Sequence, residues 1–197
     1  MTLERLRTEA DLYDETFDDV DGEDESFASK EFEACTFRNC KFSEASFAQC
    51  VFLDCTFHNC DLSSSRVVNA SLRDVHFIGC KLVGVDWTST NTRMGFDVHF
   101  DDCVLDFGNF SRMHLAHLKV TGGRMHDANL DGVVFKTASL DDVDAQGASL
   151  RQADLRRADL SGVHHLAVDV RTCQLGHTRL SADSAFASLA LLGIDVV

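Results

Sequence analysis

The sequence predicts a solenoid of stacked repeats, because its apolar residues recur every five positions. Every fifth residue from Phe37 to Phe57 is phenylalanine, and a small residue, Cys or Ala, stands two positions before each one. An α-helix has an apolar period of about 3.6 and a half-buried strand a period of 2, so neither explains a period of five. A fixed period over most of a chain is typical of an array in which each unit packs on its neighbours.

The five-residue pattern resembles that of the pentapeptide-repeat proteins. Residues 10–12, 128–130, 153–155 and 158–160 match the A(D/N)L core of that family's consensus. The resemblance covers residues 10–180 and implies an all-β fold, a right-handed quadrilateral β-helix in which four pentapeptides form one square coil. It also implies that the central Leu or Phe and the small residue two before it point inward.

Central residues follow two reading frames. The first frame covers residues 12–87, with Gly22 as its one apolar gap, and the second covers residues 100–180. Because a square coil stacks residues twenty apart, one internal column is expected to contain Phe17, Phe37, Phe57 and Phe77. The frames differ by three residues, so we expect a frame break at residues 88–99 with a surface loop over residues 88–97. Insertions in repeat proteins often lie at a binding face, although a passive insertion is also tolerated at low cost.

Two positions of the second frame are weak. Ala145 and His165 lie twenty apart where larger apolar residues are expected. His165 is therefore interpreted either as a partly buried, hydrogen-bonded histidine or as a sign that the coil loosens near its end.

The tail follows a different pattern. We assign residues 1–180 to the β-helix and residues 181–197 to a short helix and tail, with Asp183 or Ser184 as the helix cap and Gly193 at its end. An open β-helix leaves strand edges that need cover, so the tail is either a simple cap or, as the resemblance favours, a two-fold dimer contact. The expected dimer residues are Phe186, Leu189, Leu192, Ile194 and Val196.

The eight cysteines all fall on the small inward position. Zinc binding, redox chemistry and disulfides are alternatives, but the spacing is i, i+5 rather than that of a CxxC pair. Free cysteine packs as a small hydrophobe. We therefore predict structural thiols, no metal and no cofactor.

Acidic residues concentrate at the N-terminus. The net charge is −14, and residues 1–33 contain thirteen carboxylates against three basic residues. This balance predicts no direct binding to nucleic acid or to an anionic membrane. With no apolar stretch near 18 residues and no secretion signal, we expect a cytoplasmic location. The expected acidic surface consists of Asp18, Asp19, Asp21, Glu23, Asp24 and Glu25.

Further motifs resemble the topoisomerase-protecting branch of the family, which includes Qnr-type, mycobacterial fluoroquinolone-resistance and albicidin self-protection proteins. These motifs are GVDWTS at residues 84–89, MHDANL at residues 125–130 and the helix-plus-tail ending. The resemblance implies a homodimeric acidic rod that binds DNA gyrase or topoisomerase IV, partly mimics DNA and counters quinolone- or albicidin-like poisons. The loop residues expected to contact the enzyme are Thr90, Asn91, Thr92, Arg93, Met94, Gly95 and Phe96.

Charge density limits the DNA-mimic idea. A rod of about eight coils at ~4.8 Å is roughly 38 Å long, and B-DNA of that length carries about 22 charges. A net charge of −14, most of it near the N-terminus, does not imitate DNA uniformly. We therefore expect the acidic coils to contact a basic enzyme surface while the loop supplies specificity. The alternative is a generic interaction scaffold, whereas no nucleophile, base or metal constellation indicates an enzyme.

Overall fold

The chain winds into a parallel β-solenoid whose coils lie one above the other. The computed structural model describes residues 2–195. Strand partners in the first half are twenty residues apart, as in Leu12–Phe32 and Phe52–Leu72. Each coil therefore contains four pentapeptides, and the all-β solenoid with a short C-terminal helix is confirmed. We name the four walls A, B, C and D after the columns that contain Phe52, Phe57, Leu62 and Val67.

Short strands and single bridges build the walls, and a helix lies at each end. The strands are β1 (Asp11–Tyr13), β2 (Thr16–Asp18), β3 (Glu31–Glu33), β4 (Thr36–Arg38), β5 (Val51–His58), β6 (Ser71–Ile78), β7 (Val98–Asp101), β8 (Lys119–Thr121), β9 (Ser139–Asp141), β10 (Val143–Asp144), β11 (Asp159–Leu160), β12 (Val163–His164) and β13 (Arg179–Leu180). The helices are α1 (Leu3–Thr8) and α2 (Ala182–Ala190), and two 3-10 turns cover Trp87–Ser89 and Thr92–Met94. Pairing proceeds in the order β1-β3-β5-β6-β7-β8-β9-β11-β13.

Stacked phenylalanines fill the tube along wall B. Ring centroids are 5.1 Å apart for Phe17–Phe37, 4.5 Å for Phe37–Phe57 and 4.9 Å for Phe57–Phe77. The same column continues across the frame break to Phe100 at 5.6 Å. The predicted column is confirmed, and its near-parallel rings add to the stabilisation from apolar burial.

The gap in the first frame is closed by neighbouring rings. Gly22 is buried, and a β-carbon placed on it would lie 2.9 Å from atoms of both Phe27 and Phe42. These two rings approach each other edge to face at 5.7 Å. Glycine is therefore required here because larger neighbours occupy its side-chain space.

The corners of the coil explain why most pentapeptides end in a polar residue or glycine. Asp14, Asn39 and Asp54 stand two residues after a central residue and have φ values of 53°, 51° and 53°. This left-handed conformation costs most L-residues energy but is tolerated by Asp and Asn. The sequence preference at this position thus follows from the turn geometry.

The cysteines pack inside the tube as free, buried thiols. The thiol of Cys40 donates to the carbonyl of Phe17 at 3.3 Å, and that of Cys80 donates to Phe57 at 3.3 Å, one coil below. Burial raises the pKa of the Cys50 thiol to about 11, which disfavours the reactive thiolate. The prediction that the cysteines point inward is confirmed.

Helix α1 covers the N-terminal end, a feature the repeat pattern does not predict. Its Leu6 side chain is 1% exposed and joins the core. Lys30 occupies a small inward position, yet its Nζ donates to the carbonyls of Arg7 at 3.3 Å and Glu9 at 2.5 Å. The ammonium group therefore satisfies carbonyls at the end of α1, while its stem fills the coil.

Helix α2 covers the other end. Ser181, rather than Asp183 or Ser184, is the N-cap, and its Oγ accepts from the backbone of Ser184 at 3.3 Å. The last coil loosens, because His165 is exposed with a φ of 56° while Leu166 turns into the core. Across residues 2–195, the helices are too short to cross a bilayer.

Candidate partner-binding surfaces

The three-residue shift between the frames is absorbed by residues 88–97 on wall A. Val75 pairs with Val98 and Phe77 with Phe100, so partners here are 23 residues apart. The backbone of Thr88 donates to the Asp86 carboxylate at 3.3 Å, which starts the first 3-10 turn. The sheet therefore continues past the insertion, and the extra length lies outside it.

The loop has an anchored base and an exposed tip. Thr90 is 9% exposed and its hydroxyl donates to the carbonyl of Trp87 at 2.7 Å, while Phe96 packs edge to face on Trp87 at 5.8 Å. Thr92, Arg93 and Gly95 are exposed and Asn91 is half-buried. The side chain of Met94 lies outside the described part. The predicted contact residues that the structure shows exposed to a partner are therefore Thr92, Arg93 and Gly95.

A groove of about 510 Å³ separates the loop from the next coil. It is lined by Thr88, Thr92, Gly95, Phe96, Ser111, Arg112, Met113 and His114. Arg112 and His114 are exposed and offer hydrogen-bond donors to the groove. Residues 111–114 on the second side of the groove are not among the residues predicted from the sequence, although the 23-residue offset between strand partners places them beside the loop.

The acidic surface lies on walls B and C of the first coil and at the corners of those walls. Asp18, Asp19, Asp21, Glu23 and Asp24 are exposed on walls B and C and their corners. Glu25 is half-buried and forms an ion pair with Arg7. Asp18 lies 3.9 Å from Arg38. Most of this charge therefore faces solvent, on walls other than that of the loop.

The C-terminal helix presents apolar side chains outward. Ser184 and Ser188 are buried against the coil, and the Ser188 hydroxyl accepts from the backbone of Val168 at 2.9 Å. Phe186 is 53% exposed and Ile194 48% exposed. Leu189 and Leu192 are half-buried, and Val196 lies outside the described residues. An exposed apolar surface at a chain end is typical of a contact with another protein.

A carboxylate between two histidines fastens the C-terminal end. Asp144 lies 3.0 Å from His126 Nε2 and 2.9 Å from His165 Nδ1. Partial burial would raise the pKa of Asp144, but the hydrogen bond from His165 and the close imidazole of His126 hold it at about 2. Asp183 at the start of α2 accepts from the backbone of His165 at 3.1 Å. The part of the chain that the structure describes has no group of three or more such side chains placed to hold a metal ion.

Two family models match the sequence. One, "Pentapeptide repeat region", matches residues 30–94, and another, "Pentapeptide repeats (8 copies)", matches residues 138–164. The fold is also similar to that of a trypsin-treated variant of QnrB1, a plasmid-mediated fluoroquinolone resistance protein, with a TM-score of 0.68 and 22% identity. The chain carries pentapeptide repeats and has the pentapeptide-repeat fold.

The structural likeness extends over the whole repeat protein. The match to the first QnrB1 structure covers 100% of this chain and 95% of the QnrB1 chain. A second trypsin-treated variant matches with a TM-score of 0.59 and 22% identity, over 95% of this chain and 97% of the QnrB1 chain. No curated protein sequence matches the chain significantly. Pentapeptide-repeat proteins are typically structural or interaction scaffolds.

Proposed function

We propose that this pentapeptide-repeat protein binds a type II topoisomerase, DNA gyrase or topoisomerase IV, and protects it from quinolone- or albicidin-like poisons. The observation that carries the proposal is a loop projecting from a solenoid whose fold matches a fluoroquinolone resistance protein over its full length. The insertion leaves the sheet pairing intact on both sides. Its exposed turn is therefore presented on a rigid support, as binding loops commonly are.

The acidic coil supplies the second contact in this proposal. Asp19, Asp21 and Asp24 are exposed, and no ion pair involves them within residues 2–195. A cluster of unpaired carboxylates favours association with a cationic surface such as one that binds DNA. The rod then imitates DNA at one end only, which agrees with its uneven charge.

The third element of the proposal is a two-fold dimer through α2. Ser184 and Ser188 of α2 pack against the coil, whereas Phe186 of the helix and Ile194 of the tail that follows it are exposed to solvent. Pairing two such surfaces would bury them in an isologous contact. Phe186→Glu is expected to convert the protein to a monomer, measured by sedimentation; an unchanged mass would remove this part of the proposal.

Deleting residues 92–94 tests the loop. The deletion returns the spacing of Val75 and Val98 from 23 to 20 residues and leaves both strands in register. Gyrase supercoiling is measured with a fluoroquinolone, with and without the protein. The deletion variant is expected to lose protection, whereas Arg66→Ala on wall D retains it. Equal protection by both variants would contradict the assignment of the loop, and absence of gyrase from a pull-down with the native protein would contradict the proposed function itself.

A further inference from the structure

The charge on wall A changes sign at the loop. Before the loop, this wall and its edges carry six carboxylates and one arginine; after the loop they carry four cations and one carboxylate. The first group contains Asp11, Asp14, Glu31, Glu33, Asp54, Asp74 and Arg73, and the second contains Arg112, Lys136, Arg156, Arg157 and Asp154. The inserted residues therefore stand between an acidic and a basic stretch of one wall.

The register fixes the positions of the basic residues. His114 pairs with Val134, and Val134 with Asp154, along the outside of wall A. A β-carbon on Gly132 would lie 3.1 Å from Arg112, so Arg112 is one coil below it at the edge of the wall. The backbone of Arg157 donates to Gly176 in the coil above at 2.8 Å. These residues therefore rise along the axis while crossing wall A, from Arg112 at its edge with wall D to Lys136 on its face and Arg157 at its edge with wall B.

Three of the cations form no direct ion pair among the described residues, although Lys136 is close enough to Asp154 to assist Arg156 in lowering the pKa of that carboxyl. Arg156 is paired with Asp154 at 2.6 Å, whereas Arg112, Lys136 and Arg157 are exposed and form no ion pair with any described residue. We call these three residues the basic strip. On wall B beyond the loop, carboxylates outnumber cations. The carboxylates are Asp101, Asp102, Asp141, Asp142 and Asp159, and the cations are Lys119 and Arg179. The strip is therefore a local reversal within an acidic protein.

The basic strip begins in the groove beside the loop. Arg112 and His114 line one side of that groove and Thr92 the other. A β-carbon placed on Gly95, also at the groove, would meet no atom within 4 Å, so the space is open. Arginine, hydroxyl and imidazole groups together bind phosphate oxygens well.

Although the net charge predicts no direct binding to nucleic acid, three cations are concentrated on one wall, and we propose that the basic strip and this groove bind the phosphodiester backbone of duplex DNA. The choice of DNA rests on the proposed function, because a topoisomerase holding DNA presents phosphates next to a cationic protein surface. In such a complex the cationic protein surface would complement the acidic half of wall A, and the phosphates would complement the basic half. An acidic protein would complement only the basic half.

The size of the strip sets the expected salt dependence. Arg112 and Arg157 lie at opposite edges of wall A, and their separation along the axis is two coils, about 10 Å at ~4.8 Å per coil. About three phosphates of one strand fit that length at ~3.4 Å each. Three neutralised phosphates give a slope near −2.7 in log affinity against log salt, or about a 40-fold loss for a fourfold rise in salt. The whole chain carries −14, and its repulsion of DNA is also least screened at low salt, so the measured slope is expected to be shallower than about −2.7.

Fluorescence anisotropy with a labelled 20-base-pair duplex tests the proposal at about 20 and 80 mM salt, a fourfold range chosen for this slope. The test variant combines Arg112→Glu, Lys136→Glu and Arg157→Glu. The matched control combines Lys41→Glu, Arg66→Glu and Lys119→Glu, which are exposed on other walls and change the net charge equally. The strip variant is expected to bind at least about tenfold more weakly than the control, since three phosphate contacts are lost.

Two anisotropy results would overturn the proposal: no binding of the duplex by the native protein at low salt, or an equal loss of DNA affinity in both variants. Polyglutamate displacing the protein more effectively than unlabelled duplex DNA would also overturn it. So would a strip variant that, unlike the control, no longer captures DNA-free gyrase. Circular dichroism confirms that each variant folds. A separate pull-down with DNA-free gyrase isolates the proposed function. If the native protein fails to capture the enzyme but binds DNA through the strip, the proposed function fails and the strip assignment stands.

Discussion

The stability of the tube should depend strongly on its central aromatic column. Phe57 is 1% exposed, with Phe37 at 4.5 Å below it and Phe77 at 4.9 Å above it, both nearly parallel. Phe52 adds an edge contact at 5.7 Å. Replacing a buried phenylalanine by alanine removes its transfer free energy and leaves a cavity, which together cost about 3–5 kcal/mol. The loss of stability in Phe57→Ala is expected to lie in that range, because the paired strands above and below keep the coils from closing the cavity.

Urea denaturation followed by circular dichroism measures the effect. With an m-value of about 2 kcal/mol/M, the midpoint should fall by about 2 M. Phe107→Ala is the matched control, because this phenylalanine is 61% exposed at a corner with a φ of 57°. The control is expected to change the midpoint by less than about 0.3 M, corresponding to a surface effect within ~0.5 kcal/mol. Equal shifts in the two variants would refute the stacking argument.

Three other predictions concern the gap and the two ends. Gly22→Ala should destabilise the protein by about 1–3 kcal/mol, because its β-carbon meets ring atoms at 2.9 Å. Gly176→Ala is the control and should cost little stability, because its β-carbon would lie 3.5 Å from the nearest atom. Similar melting temperatures for the two variants would contradict this prediction. Lys30→Met keeps the stem but leaves two carbonyls of the α1 end without their donor, so trypsin should cleave within α1 faster, and unchanged cleavage would count against the contact. The depressed pKa of Asp144 means that its stabilisation is present above pH ~4 and lost as pH falls towards 2. Asp144→Asn should therefore lose less stability than the native protein on acidification, unlike the exposed control Asp54→Asn, and parallel acid-unfolding curves would exclude this role.

The interior of the tube could be predicted in detail because it repeats. Once Phe37 and Phe57 are assigned to one frame, the twenty-residue coil places Phe17 and Phe77 in the same column, and the structure agrees. The inward position of the cysteines follows from the same rule. Periodic packing leaves each residue a single environment, so one sequence pattern is enough to specify it.

The irregular parts could not be predicted to the same extent. Within the loop, nothing in the pattern distinguishes Phe96, which packs on Trp87, from the exposed Arg93. Helix α1 is six residues long, and its position depends on a contact with Lys30, more than twenty residues away. Such features depend on tertiary contacts between residues that share no repeat. The same holds for Leu166, which enters the core in place of His165 once the coil loosens.

The covered ends of the tube have a consequence for assembly in the cell. A parallel stack can in principle grow indefinitely, since its outermost strands offer backbone groups to any further strand. Here the chain stops that growth by laying a short helix over each terminal layer, held by a lysine at one end and by serines at the other. Deleting either helix would expose unpaired strand edges, and the expected result is end-to-end fibres instead of discrete particles.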